Sequence, residues 1–179
     1  MSHLPTAYAG IGSRKTPNNI LTLMEILAFR LAEQGHVLRS GAAYGADQAF
    51  EKGCDAANGR KEIFIPWDGF QGRNARIEVG VLAGVEAKAL QLAAELHPNW
   101  SACSDAARKL HARNCYQILG SFLDEPVTDV VCWTPNGSGE GGTGQAIRLA
   151  RRLGIPVWDL GDQETFLHFH RMLGFPSID

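Results

Sequence analysis

Short apolar runs alternate along the chain with longer stretches in which apolar residues return at every third or fourth position. The first run, residues 8–11, predicts a strand. Thr16-Pro17 follows as an N-cap and a first-turn proline, and Ile20, Leu21, Met24, Leu27, Ala28 and Leu31 keep helical spacing until Gly35 ends the helix. Residues 36–38 begin a second strand, 46–57 read as a helix closed by Asn58-Gly59, and 62–67 as a third strand stopped by Pro66. Residues 68–104 interrupt this rhythm with a loop-like start at 68–72 and an alanine- and leucine-rich helix over 85–96, which His97-Pro98 ends. Ser104 caps a helix over 105–119, and 128–133 is an apolar strand of the doubly covered kind. A helix over 145–153 is closed by Gly154, a strand follows over 155–158, and 163–173 predicts a terminal helix. This alternation predicts an α/β fold, a Rossmann-like parallel sheet of about five or more strands with helices on both faces. No repeat, linker or low-complexity segment divides it, so residues 1–179 are expected to form a single domain with 68–104 inserted.

Three strand-to-helix junctions are rich in glycine: Gly10-Ile11-Gly12-Ser13-Arg14, Ser40-Gly41-Ala42-Ala43-Tyr44-Gly45-Ala46-Asp47, and Gly139-Glu140-Gly141-Gly142-Thr143-Gly144. Backbone N–H groups at such junctions are unpaired, glycine admits a ligand close to them, and the helix dipole favours an anion. In an open parallel sheet all three turns fall on the carboxyl edge of the strands, where ligands bind. Each glycine also serves a tight turn, but three together point to a cradle for a phosphate-like anion. In the second turn Ser40 offers a hydroxyl, Tyr44 a stacking face, and Asp47 either complements the helix dipole or accepts from ribose hydroxyls. Arg14, from the first turn, can neutralise an anion. The third turn lacks the lysine and spacing of a Walker A loop, and Thr16-Pro17 stands where a dinucleotide fingerprint needs its third glycine. A dehydrogenase is therefore disfavoured.

The chain has 179 residues, of which 45% are hydrophobic and 20% charged, with a net charge of −2, which excludes a broadly basic nucleic-acid coat. No apolar run reaches the roughly 18 residues of a membrane span. The opening Met1-Ser2-His3-Leu4-Pro5 lacks a signal-peptide pattern, and the four cysteines form no Cys-x-x-Cys pair. A cytoplasmic location is the expectation. Arg108, Lys109 and Arg113 concentrate positive charge on one helix, where Lys109 and Arg113, four apart, should share a face. Arg113-Asn114 can alternatively reach the cradle. None of the six histidines shows a recognisable ligand spacing with cysteine or carboxylate, so no metal site is expected. Trp133 and Trp158 suit the core, whereas Trp67, just past Pro66, can wall a pocket.

These stretches together resemble the SLOG superfamily, which joins the Smf/DprA DNA-processing proteins with the LOG phosphoribohydrolases. Gly12-Ser13-Arg14 is similar to its first Gly-x-Arg turn, and Ser40 to Asp47 to the pattern Ser-Gly-x-Ala-x-Gly-x-Asp. Arg113-Asn114 with Ile118 and Gly120 resembles Arg-Asn-x-x-Ile-x-Gly, and Gly141-Gly142-Thr143 the last loop. Small single-domain members of this kind are familiar in phage genomes. LOG enzymes carry a catalytic glutamate just after the last Gly-Thr, where this chain has Gly144, Gln145 and Ala146. Cleaving an N-glycosidic bond needs a nearby carboxylate, leaving Asp47 or Glu140 as the candidates.

The expectation is thus a protein that binds a nucleotide-derived small molecule, of the ADP-ribose or cyclic-nucleotide kind. In a phage setting it would sequester a host defence signal. Gly12, Ser13, Ser40, Gly41, Ala42, Gly45, Gly141, Gly142 and Thr143 would cradle phosphate, Arg14, Arg113 and Asn114 would hold it, and Tyr44 and Trp67 would meet the base, beside Asp47. No further cofactor is expected, and the resemblance implies a homo-oligomer. The alternatives are a DprA-like single-stranded DNA-binding protein using Lys109 and Arg113, and a LOG-like nucleoside-monophosphate phosphoribohydrolase using Asp47.

Overall fold

The computed structural model describes residues 6–74 and 85–176. The opening residues 1–5 and residues 75–84 of the interrupting segment therefore lie outside the described residues. Five parallel strands, β1 (Ala7–Gly10), β2 (Val37–Ser40), β3 (Lys61–Ile63), β4 (Asp129–Cys132) and β5 (Val157–Asp159), form one sheet in the order β3-β2-β1-β4-β5. Helices α1 (Asn18–Glu33) and α2 (Ala46–Ala56) precede the interruption, followed by α3 (Glu86–Leu96), α4 (Asp105–Leu119), α5 (Gly144–Arg152) and α6 (Gln163–Met172). This is the Rossmann-like α/β architecture expected from the alternation of strand and helix.

The strands are covered on both faces because consecutive side chains leave a strand on opposite sides. Tyr8 and Val131 pack with Leu23, Met24, Leu27 and Phe50 of α1 and α2, and with Phe169 of α6. Their neighbours Ala9, Val130 and Cys132 pack on the other side with Cys115, Tyr116 and Ile118 of α4 and Ile147 of α5. Fully burying each large apolar side chain of this kind contributes about 1.5–3 kcal/mol.

Strand order also sets where a ligand fits. From β1 the chain moves one way to β2 and β3, then crosses back to place β4 on the opposite side of β1. The loops leaving β1 and β4 diverge at this reversal and open a crevice at the carboxyl ends of the strands.

Two local expectations differ from the structure. The ladder of the third strand ends at Ile63, although Phe64 and Ile65 stay buried in the apolar run. Thr16 does not cap α1: Pro17 stands at the N-cap, and the Thr16 hydroxyl donates instead to the Ser13 carbonyl at 2.7 Å. Ser104 caps α4 as its sequence implies, accepting from the Ala107 N–H at 3.2 Å. Among the described residues, no helix is long and apolar enough to cross a membrane.

Candidate functional site

A cleft of about 410 Å³ opens at the crevice between β1 and β4. One wall is the first turn, Ile11 to Lys15; the opposite rim is Gly142 and Thr143, leading into Ala146 of α5. The floor is a single face of α4, since Ala107, Leu110, His111, Asn114 and Gln117 recur at helical spacing. Asp47 and Arg113 lie at the back, and Phe70 with Gln71 closes the side.

The three glycine-rich turns serve different ends. A Cβ on Gly41 would overlap the Arg113 guanidinium, so this glycine makes room for a buried arginine. Gly45 has φ of +85°, and its Cβ would stand 2.6 Å from the Ser13 carbonyl oxygen and 2.9 Å from Arg14 Cα. The second turn is therefore pressed against the backbone of the first. Gly141 and Gly142 differ, since a methyl on either would meet no atom within 4 Å, and Gly142 borders the cleft. The third turn is the one whose glycine faces open space on the ligand side. Its shape is held from below: Asp159 accepts from the Thr134 hydroxyl and, at 2.8 Å, from the Thr134 N–H. The Thr134 hydroxyl oxygen in turn accepts from Gly139 N–H at 2.8 Å.

Arg113 is 6% exposed and donates to the carbonyls of Gly41 and Phe64 and to Asn114 Oδ1. Asn114 then donates to the Gly142 carbonyl at 3.0 Å, so α4 ties the second turn to the third. Asp47, 3% exposed, accepts from the Ala43 N–H at 3.3 Å. Burial raises its carboxyl to about 6, against the pull of the Arg113 charge and of backbone donors from Ala43 and Gly12. Burial likewise lowers Arg113, and Asp47 opposes that shift. On the cleft surface, Arg14 and Lys15 are exposed and have no ion-pair partner among the described residues. The cleft thus combines two exposed cations, two backbone turns and an apolar wall of Phe70 and Leu110.

Of the residues singled out in the sequence, Gly12, Ser13, Arg14, Asp47, Arg113, Asn114, Gly142 and Thr143 border this cleft. Ser40 does not: fully buried, it donates its hydroxyl to the Gly10 carbonyl at 2.6 Å. Ala42 is buried under the second turn, and Tyr44, 58% exposed, stands outside the lining, as do Gly41, Gly45 and Gly141. Trp67, exposed, stands outside the lining, edge-on to Phe70 with ring centroids 5.3 Å apart, and Phe70 presents the aromatic surface. The pairing of Lys109 and Arg113 on one exposed face is corrected: Lys109 is exposed, but Arg113 turns into the protein. Glu140 is exposed and off the lining, while Gln145 is buried, donating its amide to Cys115 Sγ at 3.3 Å.

Sequence reasoning missed Lys15, Phe70, Leu110, His111 and Gln117. Three of these were legible as the helical-spacing partners of Asn114 on α4; Phe70 carried no signal within its loop. The histidines show no ligand spacing along the sequence, yet the fold gathers two of them with a cysteine. His97, Cys103 and His111 bring ligand atoms within 4.8 Å of one another. Burial, aided by His97, Arg148 and Arg113, holds His111 down to about 4, so its ring is neutral at neutral pH.

No family model and no curated protein matches this chain. Among solved structures, it is similar to the molybdenum cofactor (Moco) carrier protein of Chlamydomonas reinhardtii. One structure of that protein aligns with a TM-score of 0.53 and 18% identity over 95% of this chain and 84% of that one. A second aligns with a TM-score of 0.52 and 17% identity over 94% and 84%. At this identity the likeness is one of fold, and it runs through nearly the whole chain.

Proposed function

We propose that the chain binds a phosphorylated heteroaromatic small molecule in the β1–β4 cleft and holds it without turning it over. The observation that carries this reading is the joining of exposed Arg14 and Lys15, the open backbone at Gly142 and the Phe70–Leu110 wall in one crevice. Cations and backbone N–H groups suit a phosphate, and an aromatic wall suits a flat ring. The cleft volume of about 410 Å³ falls within the roughly 300–1,000 Å³ of small-molecule sites. Nucleotides of the ADP-ribose or cyclic class have this chemistry and agree with the SLOG-like turns. The similar fold of a molybdenum cofactor carrier supports the carrier part of the reading. Gly144, Gln145 and Ala146 stand where LOG enzymes place a glutamate, and none of them carries a carboxylate, which supports holding over cleavage. Sequestration of a signalling nucleotide is the corresponding biological role.

Thermal-shift assays with ADP-ribose, AMP, cyclic AMP, cyclic GMP and a pterin phosphate test this reading. A saturable rise in melting temperature with at least one compound, reduced in Arg14→Ala, is expected; no shift with any of them overturns it. A second reading rests on Asp47, a buried carboxylate at the back of the cleft held near pH 6. Such a group can serve as a general acid in N-glycosidic cleavage. Release of free adenine from AMP, lost in Asp47→Asn, would favour it, and an inert wild type would end it.

A further inference from the structure

We propose that His97, Cys103 and His111 form a binding site for a divalent transition-metal ion of the zinc class, placed at the edge of the cleft. The three donors come from three segments: His97 from the C-cap of α3, Cys103 from just past the short turn Trp100–Ala102, and His111 from the second turn of α4. Chain connectivity alone gives no reason for them to converge, yet their ligand atoms all lie within 4.8 Å of one another. Cys103 Sγ is 3.7 Å from both ring nitrogens of His97, and the two imidazoles are 4.5 Å apart at a tilt of 52°.

These separations suit coordination. Bonds of about 2.0 Å to nitrogen and about 2.3 Å to sulfur, at a tetrahedral angle, put the two donor atoms about 3.5 Å apart. The observed 3.7 Å needs a turn of the His97 ring, which also gives up the long 3.2 Å bond that Nδ1 accepts from Asn99 N–H. His111 Nδ1 is buried with no hydrogen-bond partner, and an unpaired buried nitrogen is costly. A metal bond to that atom satisfies it.

The donor set selects the ion. Two imidazoles and a thiolate match zinc with one position open, as in three-ligand zinc sites. Copper sites with two histidines and a cysteine usually add an axial thioether. Among the described residues, Met24 is packed between α1 and the sheet and Met172 is exposed on α6, and neither supplies one. Trp100 covers the group, with its ring 6.1 Å from His97 and 6.3 Å from His111. Arg113 and Arg148 act on His111, and Arg108 stacks on Trp100 at 5.6 Å; all three disfavour a bare dication. The Cys103 thiolate offsets part of that charge, and its thiol proton leaves to solvent when the ion binds. Because His111 also borders the cleft, the open position lies beside the ligand space, where an anionic donor can complete the shell.

The test uses the whole chain, stripped with EDTA under a phosphine reductant and titrated with Co²⁺ and no nucleotide. It is therefore independent of the reading above. The expected result is a near-ultraviolet thiolate-to-cobalt charge-transfer band and intense visible absorption, saturating at a single ion per chain and reversed by Zn²⁺. Cys103→Ser should abolish the charge-transfer band, and His111→Gln should weaken cobalt binding by more than about a hundredfold, beyond the roughly 10–100-fold that loss of an outer-shell partner costs. A wild type with no charge-transfer band overturns the proposal, whatever the variants do. So does a band that survives in Cys103→Ser, or, should that variant not fold, one that survives unweakened in His97→Gln.

Discussion

Asp47 sits where burial and charge pull in opposite directions. The folded chain holds its carboxyl near 6 rather than the ordinary 3.8, so the unfolded chain gives up the proton first. Stability should then fall as pH rises from about 4 to about 6, by on the order of 2–3 kcal/mol, and be unaffected by this group outside that window. Urea unfolding across this range should show the fall in wild type and a flatter profile in Asp47→Asn; parallel profiles would refute the shift. Two glycines separate packing from binding in the same way. Gly45→Ala places a methyl at φ +85° against the first turn and should cost about 2–4 kcal/mol in denaturant unfolding. Gly142→Ala adds its methyl to open space and should leave stability within about 0.5 kcal/mol while weakening ligand affinity. At this scale the sequence was readable only in part. Gly12-Ser13-Arg14 and Gly142-Thr143 announced themselves, but nothing in Ser40-Gly41-Ala42 shows that its hydroxyl and glycine serve the fold's interior. That depends on Arg113, whose guanidinium reaches the Gly41 carbonyl from α4.

Among the elements, α4 does most to build the cleft. Its capped start was legible in Ser104, since a serine before a helical apolar pattern satisfies an otherwise orphan N–H. Ser104→Ala should lower stability by about 1 kcal/mol, measured by thermal or urea unfolding, and loosen the helix that carries His111 and Asn114. Its final turns are buried all round, with Arg113, Asn114 and Gln117 inside, which a charge-run reading of Arg108, Lys109 and Arg113 could not foresee. Tertiary contact decided which way each cation faced. The His97–Cys103–His111 group escaped notice for a related reason: a turn between α3 and α4 folds residues of irregular spacing onto one another. Short β3 shows the same limit, because a ladder stops where its neighbour's backbone stops pairing and not where the apolar run ends.

For the whole molecule, alternating pattern was enough to yield a parallel sheet covered on both faces, and strand-to-helix turns were enough to place the edge on which the cleft opens. Strand order was not legible, and it is the order β3-β2-β1-β4-β5 that makes the crevice, by sending β2 and β4 to opposite sides of β1. The central claim, that this crevice holds a phosphorylated heteroaromatic molecule, is open to one direct measurement. Native mass spectrometry of freshly purified wild type, before and after incubation with the ADP-ribose, cyclic-nucleotide and pterin-phosphate set, should show a ligand adduct on the chain. In Gly142→Trp, whose side chain would fill the cleft from a position free of neighbours, the adduct should disappear while the chain stays folded. Bare chain under every condition, or an adduct undiminished in Gly142→Trp, would contradict the account.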